Sequence, residues 1–199
     1  MMRNIERLLV RAGLPIRCSQ GFNPRPIFSL IPPRPVGIAS KEDLLTIELD
    51  SQITCGDLLS SLNDHTPEGM SFSRAIELGP RRTIRPIVCK YELHLSADRL
   101  DTVSGVIGRF DSAKEFVIER TSASKRRDRP PRTRQLDLKL LVCDLSVQCD
   151  TLRWQQVPQG DIWAKPREVL NALGLDPVKE LASLIRTNVI YEGIEQTDN

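Results

Sequence analysis

The sequence predicts an α+β protein made of two tandem ferredoxin-like halves, of which the first lacks its leading strand. Residues 87–192 contain strand-type alternation and helix-type spacing in the order strand, helix, strand, strand, helix, strand. Residues 1–80 repeat this order from the first helix onward, and a basic, proline-bounded stretch, 79–86, separates the two halves. Because strands and helices do not alternate throughout, the order disfavours a doubly wound parallel sheet. The polar residues 193–199 are expected to be a frayed tail.

In the first half, a helix is predicted because Ile5, Leu8 and Leu9 recur at the spacing of one helical face. The apolar runs IFSLI and LLTIEL predict two strands, and prolines end the first of them. The run TCGDLLSSLNDH predicts a second helix, for which Thr54 is the N-cap. Residues 70–78, MSFSRAIEL, alternate in polarity and predict a closing strand.

In the second half, the run VCKYELHL places Cys89, Tyr91 and Leu93 on one face of a strand. A helix and the strand EFVIER follow, and then the polar break TSASKRRDRPPRTR. The runs QLDLKLLVCDLSVQ and TLRWQQV predict two strands paired as a hairpin around Cys149. Pro166 suits the first position of the helix PREVLNAL, and SLIRTNVIYE predicts the last strand.

The overall charge limits the ways in which this chain can bind a polyanion. The formal net charge is only +2, so nucleic-acid binding must depend on local basic patches. No apolar run approaches 18 residues, so we expect no membrane span. The amino-terminal apolar run is too short for a signal peptide, and a cytoplasmic location is therefore the default expectation.

The cysteines and histidines do not form a metal-binding pattern. The five cysteines are irregularly spaced, and there are two histidines. Zinc and iron–sulfur sites need thiolates that short loops bring together, so we predict no metal and no cofactor. We expect most of these cysteines to be small buried hydrophobic residues. The common motifs of hydrolases and nucleotide-binding proteins are also missing, and we predict no catalytic residue.

The stretch SQGFNPRP, which follows the first helix, predicts a stiff loop. Its glycine permits a sharp change of direction, and its two prolines fix their own φ and restrict the preceding residues. Such a loop could present Phe22 for stacking, Gln20 and Asn23 for hydrogen bonds, and Arg25 for a phosphate. The alternative is that the prolines only stop a helix from running into a sheet.

The strongest charge run of the chain lies between the predicted strands of the second half. It is either a solvated loop or an arm that contacts phosphates when it orders on RNA. Folding could also bring this run together with other arginines into one basic face, namely Arg17, Arg25, Arg34, Arg81, Arg82 and Arg85. Arg120 and Lys139 flank the run, and its candidate contacts are Lys125, Arg126, Arg127, Arg129, Arg132 and Arg134.

The sequence ERLLVRAGLPIRCSQGFNPRPIFSLIPPRPVGIAS, followed by LLTIEL, PEGM, RQLDLK, KPREVL and IRT, resembles the bacterial radical SAM-linked family, a domain of unknown function. Members of that family are fused to, or encoded beside, a radical SAM protein, so the resemblance implies such a partner. This chain has no C-x-x-x-C-x-x-C motif and is not itself the radical enzyme. Arg25 stands where the family usually has histidine, which leaves anion binding as the role of that position. Asp137 matches a family position, and we expect it to be a structural partner of the basic run.

These observations predict a non-catalytic accessory or substrate-recognition module that works with a radical SAM enzyme and binds tRNA or rRNA. The loop would position the RNA backbone, and the basic run would supply electrostatic affinity. Two alternatives remain open: a metal-independent RNA endonuclease-like enzyme, and an adaptor that binds only protein. The predicted RNA contacts in the amino-terminal half are Arg17, Gln20, Phe22, Asn23, Arg25 and Arg34.

Overall fold

The computed structural model describes residues 2–79, 83–122 and 131–194, and these form an α+β protein with several sheets. The helices are α1 (Met2–Arg11), α2 (Cys55–Asp64), α3 (Ala97–Ser112), α4 (Pro166–Ala172) and α5 (Pro177–Glu180). The strands are β1 (Phe28–Ile31), β2 (Ala39–Ser40), β3 (Leu44–Ile47), β4 (Pro86–His94), β5 (Val117–Ser122), β6 (Arg132–Asp137), β7 (Val142–Gln148), β8 (Thr151–Gln156) and β9 (Ile185–Tyr191). No helix in these described ranges is long and apolar enough to cross a membrane.

The chain divides into two compact units, and each unit is formed from two separate stretches of the sequence. The first unit comprises Met1–Ile31 and Leu44–Thr83, and the second comprises Pro32–Asp43 and Ile84–Asn199. Residues 32–43 thus leave the first unit, supply β2 to the second, and return. The sequence-based division into 1–80 and 87–192 assigns this excursion to the first half.

The first unit contains α1, α2 and a two-stranded antiparallel sheet of β1 and β3. Its core is formed by Ile5, Leu8 and Leu9 of α1 with Leu30 and Leu62, so the apolar face predicted for α1 is confirmed. The predicted cap of α2 is also confirmed, because the hydroxyl group of the preceding threonine accepts a hydrogen bond from the third helical residue.

The closing strand predicted for residues 70–78 is wrong. These residues lie outside any strand. The side chain of Asn63 donates to the carbonyl of Phe72 (2.9 Å) and accepts from its N–H (2.8 Å). A side-chain amide therefore satisfies the backbone groups that a neighbouring strand would otherwise bind. The apolar side chains of Met70 and Phe72 still pack against the core, which accounts for the alternation in the sequence.

The second unit is built on a five-stranded sheet of order β2-β9-β4-β8-β7. All its pairs are antiparallel except β2 with β9. The predicted face of β4 is confirmed, since Cys89, Tyr91 and Leu93 are buried, and Tyr91 stacks on Trp154 of β8 with 5.3 Å between the ring centroids. The predicted β7–β8 hairpin is also confirmed, with Gln148 paired to Thr151.

Strands β5 and β6 form a separate two-stranded antiparallel ribbon between α3 and β7. The sequence predicts one strand from Gln135 to Gln148, but the structure divides it between β6 and β7 at a short 3-10 helix. The carboxylate of Asp137 causes this break, because it accepts hydrogen bonds from the N–H groups of Lys139 (3.0 Å) and Phe116 (2.9 Å). We call β5 and β6 together the ribbon.

Candidate nucleic-acid interface

The loop SQGFNPRP forms the end of a narrow hairpin in the first unit. Cys18 pairs with Pro26 across an isolated antiparallel bridge. Beyond this bridge, the N–H of Ser19 donates to the carbonyl of Arg25 (2.8 Å), and the N–H of Arg25 donates to the Ser19 hydroxyl (3.1 Å). Gly21 turns the chain with a φ of 147°, a value that side-chain-bearing residues rarely adopt. We call residues 19–25 the tip.

The tip presents its side chains to solvent. Phe22 is completely exposed, with a relative accessibility of 106%. Gln20 and Asn23 are exposed, and neither side chain forms a hydrogen bond within the part of the chain that the structure describes. The side chain of Arg25 is 75% exposed, and its Nε lies 3.9 Å from a carboxylate oxygen of Glu6. The structure thus places four of the predicted contacts on one short surface.

Two other predicted contacts are already engaged in ion pairs. In the first unit, Arg17 donates to Asp50 (2.9 Å) and lies 3.5 Å from Glu48. The hydrogen bond to Asp50 raises the pKa of Arg17 above its ordinary value. In the second unit, Arg34 lies 3.7 Å from Asp43. Both guanidinium groups stay charged, but the neighbouring carboxylates offset that charge and reduce the attraction that either arginine offers to a phosphate.

On the ribbon, Arg132 and Arg134 are exposed residues of β6. They are two positions apart and therefore project from the same face of the strand, about 7 Å from each other. No described residue forms an ion pair with either. The remaining predicted contacts of the basic run lie outside the described residues, namely Lys125, Arg126, Arg127 and Arg129.

Arg120, at the start of the basic run, has a structural role. It lies on β5 opposite Arg134 and holds the carboxylate of Glu168 on α4 through two hydrogen bonds of 2.7 and 2.6 Å. It also donates to the carbonyl of Trp163 at 2.6 Å. Burial raises the pKa of Glu168, but the hydrogen bonds from Arg120 and from the N–H of Lys165 lower it more, so its pKa lies below 4.5. Arg120 therefore anchors the ribbon to α4.

Lys139, at the other end of the basic run, also has a structural role. Its ammonium group donates to the carbonyl of Phe110 near the end of α3 (2.8 Å) and lies 4.7 Å from the centre of that ring. Asp137 also has a structural role, because it accepts hydrogen bonds from the backbone N–H groups of Phe116 and Lys139, as described above. Whether it also contacts residues 123–130 of the basic run lies outside the described residues. Both residues thus shape the base of the ribbon.

The sequence analysis does not single out Arg186, which is the most deeply buried charged residue among the described residues of the second unit. It lies on β9 with a relative accessibility of 1%, donates to the Ser40 hydroxyl (3.2 Å) and binds the carboxylate of Asp43. Burial lowers its pKa, but the hydrogen bond and charge of Asp43 raise it by more, so the guanidinium stays charged. An arginine within the predicted strand SLIRTNVIYE was the available signal.

The buried groups beside Arg186 do not form a nucleophilic centre. Burial raises the pKa of Cys89 to about 11, although the nearby charge of Arg186 opposes this, so the thiol is protonated at neutral pH. Burial also raises the pKa of Tyr91. Within the described ranges, no three histidine, cysteine, aspartate or glutamate side chains lie close enough together to hold a metal ion.

The expectation that most cysteines are buried is wrong. Cys89 is buried and Cys143 is half-buried, whereas Cys18, Cys55 and Cys149 are exposed, and all five are free thiols. The exposed cysteines lie at a hairpin bridge, at the first position of α2, and at a tight turn with a φ of 56°. None of these positions faces a core, which explains the difference.

Comparison with known proteins relates the chain to one family. No curated protein and no solved structure matches it. A family model described as an uncharacterized protein conserved in bacteria (DUF2344) matches residues 1–162. The match includes the tip and the ribbon and ends before α4. Because it covers more than half of the chain, this protein belongs to that family of uncharacterized bacterial proteins.

Proposed function

We propose that this chain is a non-catalytic RNA-binding accessory module that works beside a radical SAM enzyme in the cytoplasm. It contacts RNA through two surfaces, the tip and the ribbon. Each surface contributes by itself: the tip positions a nucleotide, and the ribbon provides electrostatic affinity. Lys125, Arg126, Arg127 and Arg129 add to the charge of the ribbon in this proposal.

The observation that carries the RNA proposal is the contrast among the arginines. Arg17, Arg34 and Arg120 are held by carboxylates, whereas Arg132 and Arg134 are exposed and have no ion-pair partner among the described residues. Two unpaired guanidinium groups on one face of a strand can each bind a phosphate in a bidentate manner. The contrast favours the ribbon as a surface for a polyanion.

The strand order supports a ferredoxin-like fold for the second unit. Its elements β4, α3, β7, β8, α4 and β9 follow the order strand, helix, strand, strand, helix, strand, and the sheet order β9-β4-β8-β7 is antiparallel throughout. The ribbon is then an insertion, and β2 an added edge strand. In the first unit, the order α1, β1, β3, α2 supports a shorter version that lacks its first and last strands.

The aromatic residues of the sheet favour the ribbon and the tip over the sheet face as RNA contacts. Tyr91 and Trp154 stack on each other and are 3% and 1% exposed. The opposite face of the same strands carries polar residues, among which Arg153 is already bonded to Glu92 at 2.8 Å. A sheet that binds RNA by stacking would present aromatic rings on its open face.

The radical SAM partner is supported by the sequence resemblance of the SQGFNPRP block and its neighbours. It is tested by co-purification with the radical SAM protein encoded nearest to this chain, with and without nuclease treatment. We expect a complex that survives nuclease. Loss of the complex on nuclease treatment would show that RNA alone links the two proteins, and absence of any complex would contradict the partnership.

The RNA proposal is tested by fluorescence anisotropy with a labelled 20-nucleotide RNA across a salt series. The double variant Arg132→Ala/Arg134→Ala removes the two unpaired guanidiniums. We expect weaker binding, and a log–log salt slope that is smaller in magnitude by about 1.4, since each phosphate contact with a single strand contributes about 0.7. Recovered RNA should be intact on a gel, because the proposal is non-catalytic.

The matched control for this test is Arg99→Ala. Arg99 lies in the first turn of α3, whereas the ribbon follows its last turn, about 20 Å further along the helix axis. This variant should keep the wild-type salt slope. An unchanged slope in the double variant would contradict the ribbon as an RNA surface, and cut RNA would contradict a non-catalytic role.

A further inference from the structure

The tip carries a group that phosphate binding does not use, the completely exposed ring of Phe22. We infer that the tip binds an unpaired RNA base, with the Phe22 ring stacked on the base and the amides of Gln20 and Asn23 bonded to its edge. This inference rests on the proposed RNA-binding function and specifies its substrate class: RNA with an unpaired nucleotide, and not a continuous duplex.

The backbone that carries Phe22 is constrained. Two hydrogen bonds between Ser19 and Arg25 close the loop, and Pro24 restricts the residue that follows Phe22. These bonds restrict the backbone that carries the ring, and an aromatic side chain has only two rotatable bonds, so stacking on a base costs little conformational entropy. Single exposed hydrophobic residues are common on protein surfaces, so the exposure of Phe22 alone does not indicate a binding site.

Polar groups without partners among the described residues lie beside Phe22 in the tip. The side-chain amides of Gln20 and Asn23 both donate and accept hydrogen bonds, and neither is occupied by any residue in the described ranges. The backbone N–H groups of residues 21–23 likewise have no hydrogen bond to a described residue. A ring with free donors and acceptors beside it matches the face and edge of a base.

The tip carries little positive charge. Arg25 is the only cationic residue in the tip and lies 3.9 Å from Glu6, while Arg17 at the base of the hairpin is held by two carboxylates. A surface of this kind obtains little affinity from phosphates alone. In an A-form duplex the bases are stacked, and the major groove is too deep and narrow for side chains, so a projecting ring needs an unpaired base.

The test compares three RNA probes: a 12-nucleotide oligouridine, a blunt 12-base-pair duplex, and the same duplex with one bulged uridine. We expect the wild-type protein to bind the oligouridine and the bulged duplex more tightly than the blunt duplex. The variant Phe22→Ala should weaken binding to the first two probes by about 5- to 150-fold, the range expected for one stacked base, without changing the salt slope.

Two further variants separate stacking from hydrophobic contact. Phe22→Leu keeps an apolar side chain without a ring and should bind as weakly as Phe22→Ala. Phe22→Trp keeps an aromatic ring and should bind with the affinity of the wild-type protein. The new indole would be the only fully exposed one, since Trp154 is buried and Trp163 is half-buried, and its fluorescence should be quenched by oligouridine. Because residue 22 touches no core residue, these variants should fold normally.

The outcomes distinguish this inference from the function on which it rests. Wild-type affinity of Phe22→Ala for the oligouridine, or equal wild-type affinity for the blunt and bulged duplexes, would overturn the inference and leave ribbon-based RNA binding intact. Failure of the wild-type protein to bind any of the three probes would overturn both.

Discussion

In the second unit, an arginine–carboxylate pair holds residues 32–43 and another holds the ribbon, and the two pairs have opposite arrangements. Residues 32–43 bring the carboxylate of Asp43 to Arg186, which belongs to β9 of the sheet. The ribbon brings the guanidinium of Arg120 to Glu168, which belongs to α4. In the first pair the arginine belongs to the five-stranded sheet, and in the second pair it belongs to the ribbon.

This difference indicates how strongly each segment contributes to the stability of the second unit. Arg186 is 1% exposed, and β2 also pairs with β9 at Ala39 and Ser40, so residues 32–43 complete the sheet edge. The side chain of Arg120 is 15% exposed, and the ribbon forms a sheet of its own. Breaking the first contact should therefore destabilise the whole unit, whereas breaking the second should loosen only the ribbon.

The largest expected effect is that of Arg186→Met. It leaves the Asp43 carboxylate partly buried without its main partner, which should reduce the free energy of unfolding by about 3–5 kcal/mol. Urea unfolding followed by tryptophan fluorescence measures this, because both tryptophans of the chain lie in the second unit. The double variant Arg186→Met/Asp43→Leu should be clearly more stable than the single variant. A loss below 1 kcal/mol in the single variant would contradict the role of the pair.

The next effect is local and depends on pH. Glu168→Gln removes the charge that Arg120 binds and should weaken attachment of the ribbon by about 2 kcal/mol at pH 7. Folding lowers the pKa of Glu168, so its ionised carboxylate stabilises the attachment of the ribbon at pH values above 4.5. This stabilisation is lost as the pH falls through the lowered pKa.

Hydrogen-exchange protection factors of β5 and β6 measure this attachment. In the wild-type protein they should fall as the pH drops below 4.5, whereas in Glu168→Gln they should already be low and change little over that range. Protection of β4 and β8 serves as the internal control. An equal loss of protection in β4 would show that the ribbon is part of the same cooperative unit.

The smallest effect is expected for Arg34→Ala. Arg34 lies 3.7 Å from the same Asp43 carboxylate that Arg186 binds, but its side chain is 28% exposed. Ion pairs that solvent reaches contribute little, so the loss should be below about 1 kcal/mol in the same urea experiment. A loss as large as that of Arg186→Met would mean that burial does not account for the difference between the two arginines.

The local features of the fold could be predicted from the sequence. The face of α1, the cap of α2 and the β7–β8 hairpin depend on residues that are close together in the chain. Residue spacing along the sequence is therefore enough to predict them. Strand β2 could not be predicted, because two residues form no pattern and their partner strand lies at the other end of the chain. The predicted strand at 70–78 failed because one asparagine side chain competes with strand pairing.

The sequence predicted which arginines belong to the candidate site. It could not predict which of them are bound by carboxylates and which are free to bind a phosphate. Arg120 and Arg134 have the same side chain within one basic stretch, yet only Arg120 is bound by a carboxylate, 48 residues away. Such a distant partner leaves no local signal in a single sequence. The tip is different, because its glycine and prolines act on neighbouring residues, and its stiffness could be anticipated from the residue types alone.

The excursion of residues 32–43 has a consequence for synthesis. Asp43 precedes Arg186 by 143 residues, so it leaves the ribosome roughly 7–30 s before its partner at ordinary translation rates. During that interval the proline-rich segment has no sheet edge to join, since its partner strand β9 has not yet been made. The second unit can therefore close its edge only after β9 has been made, and a nascent chain stalled before β9 would leave this proline-rich segment exposed to chaperones and proteases.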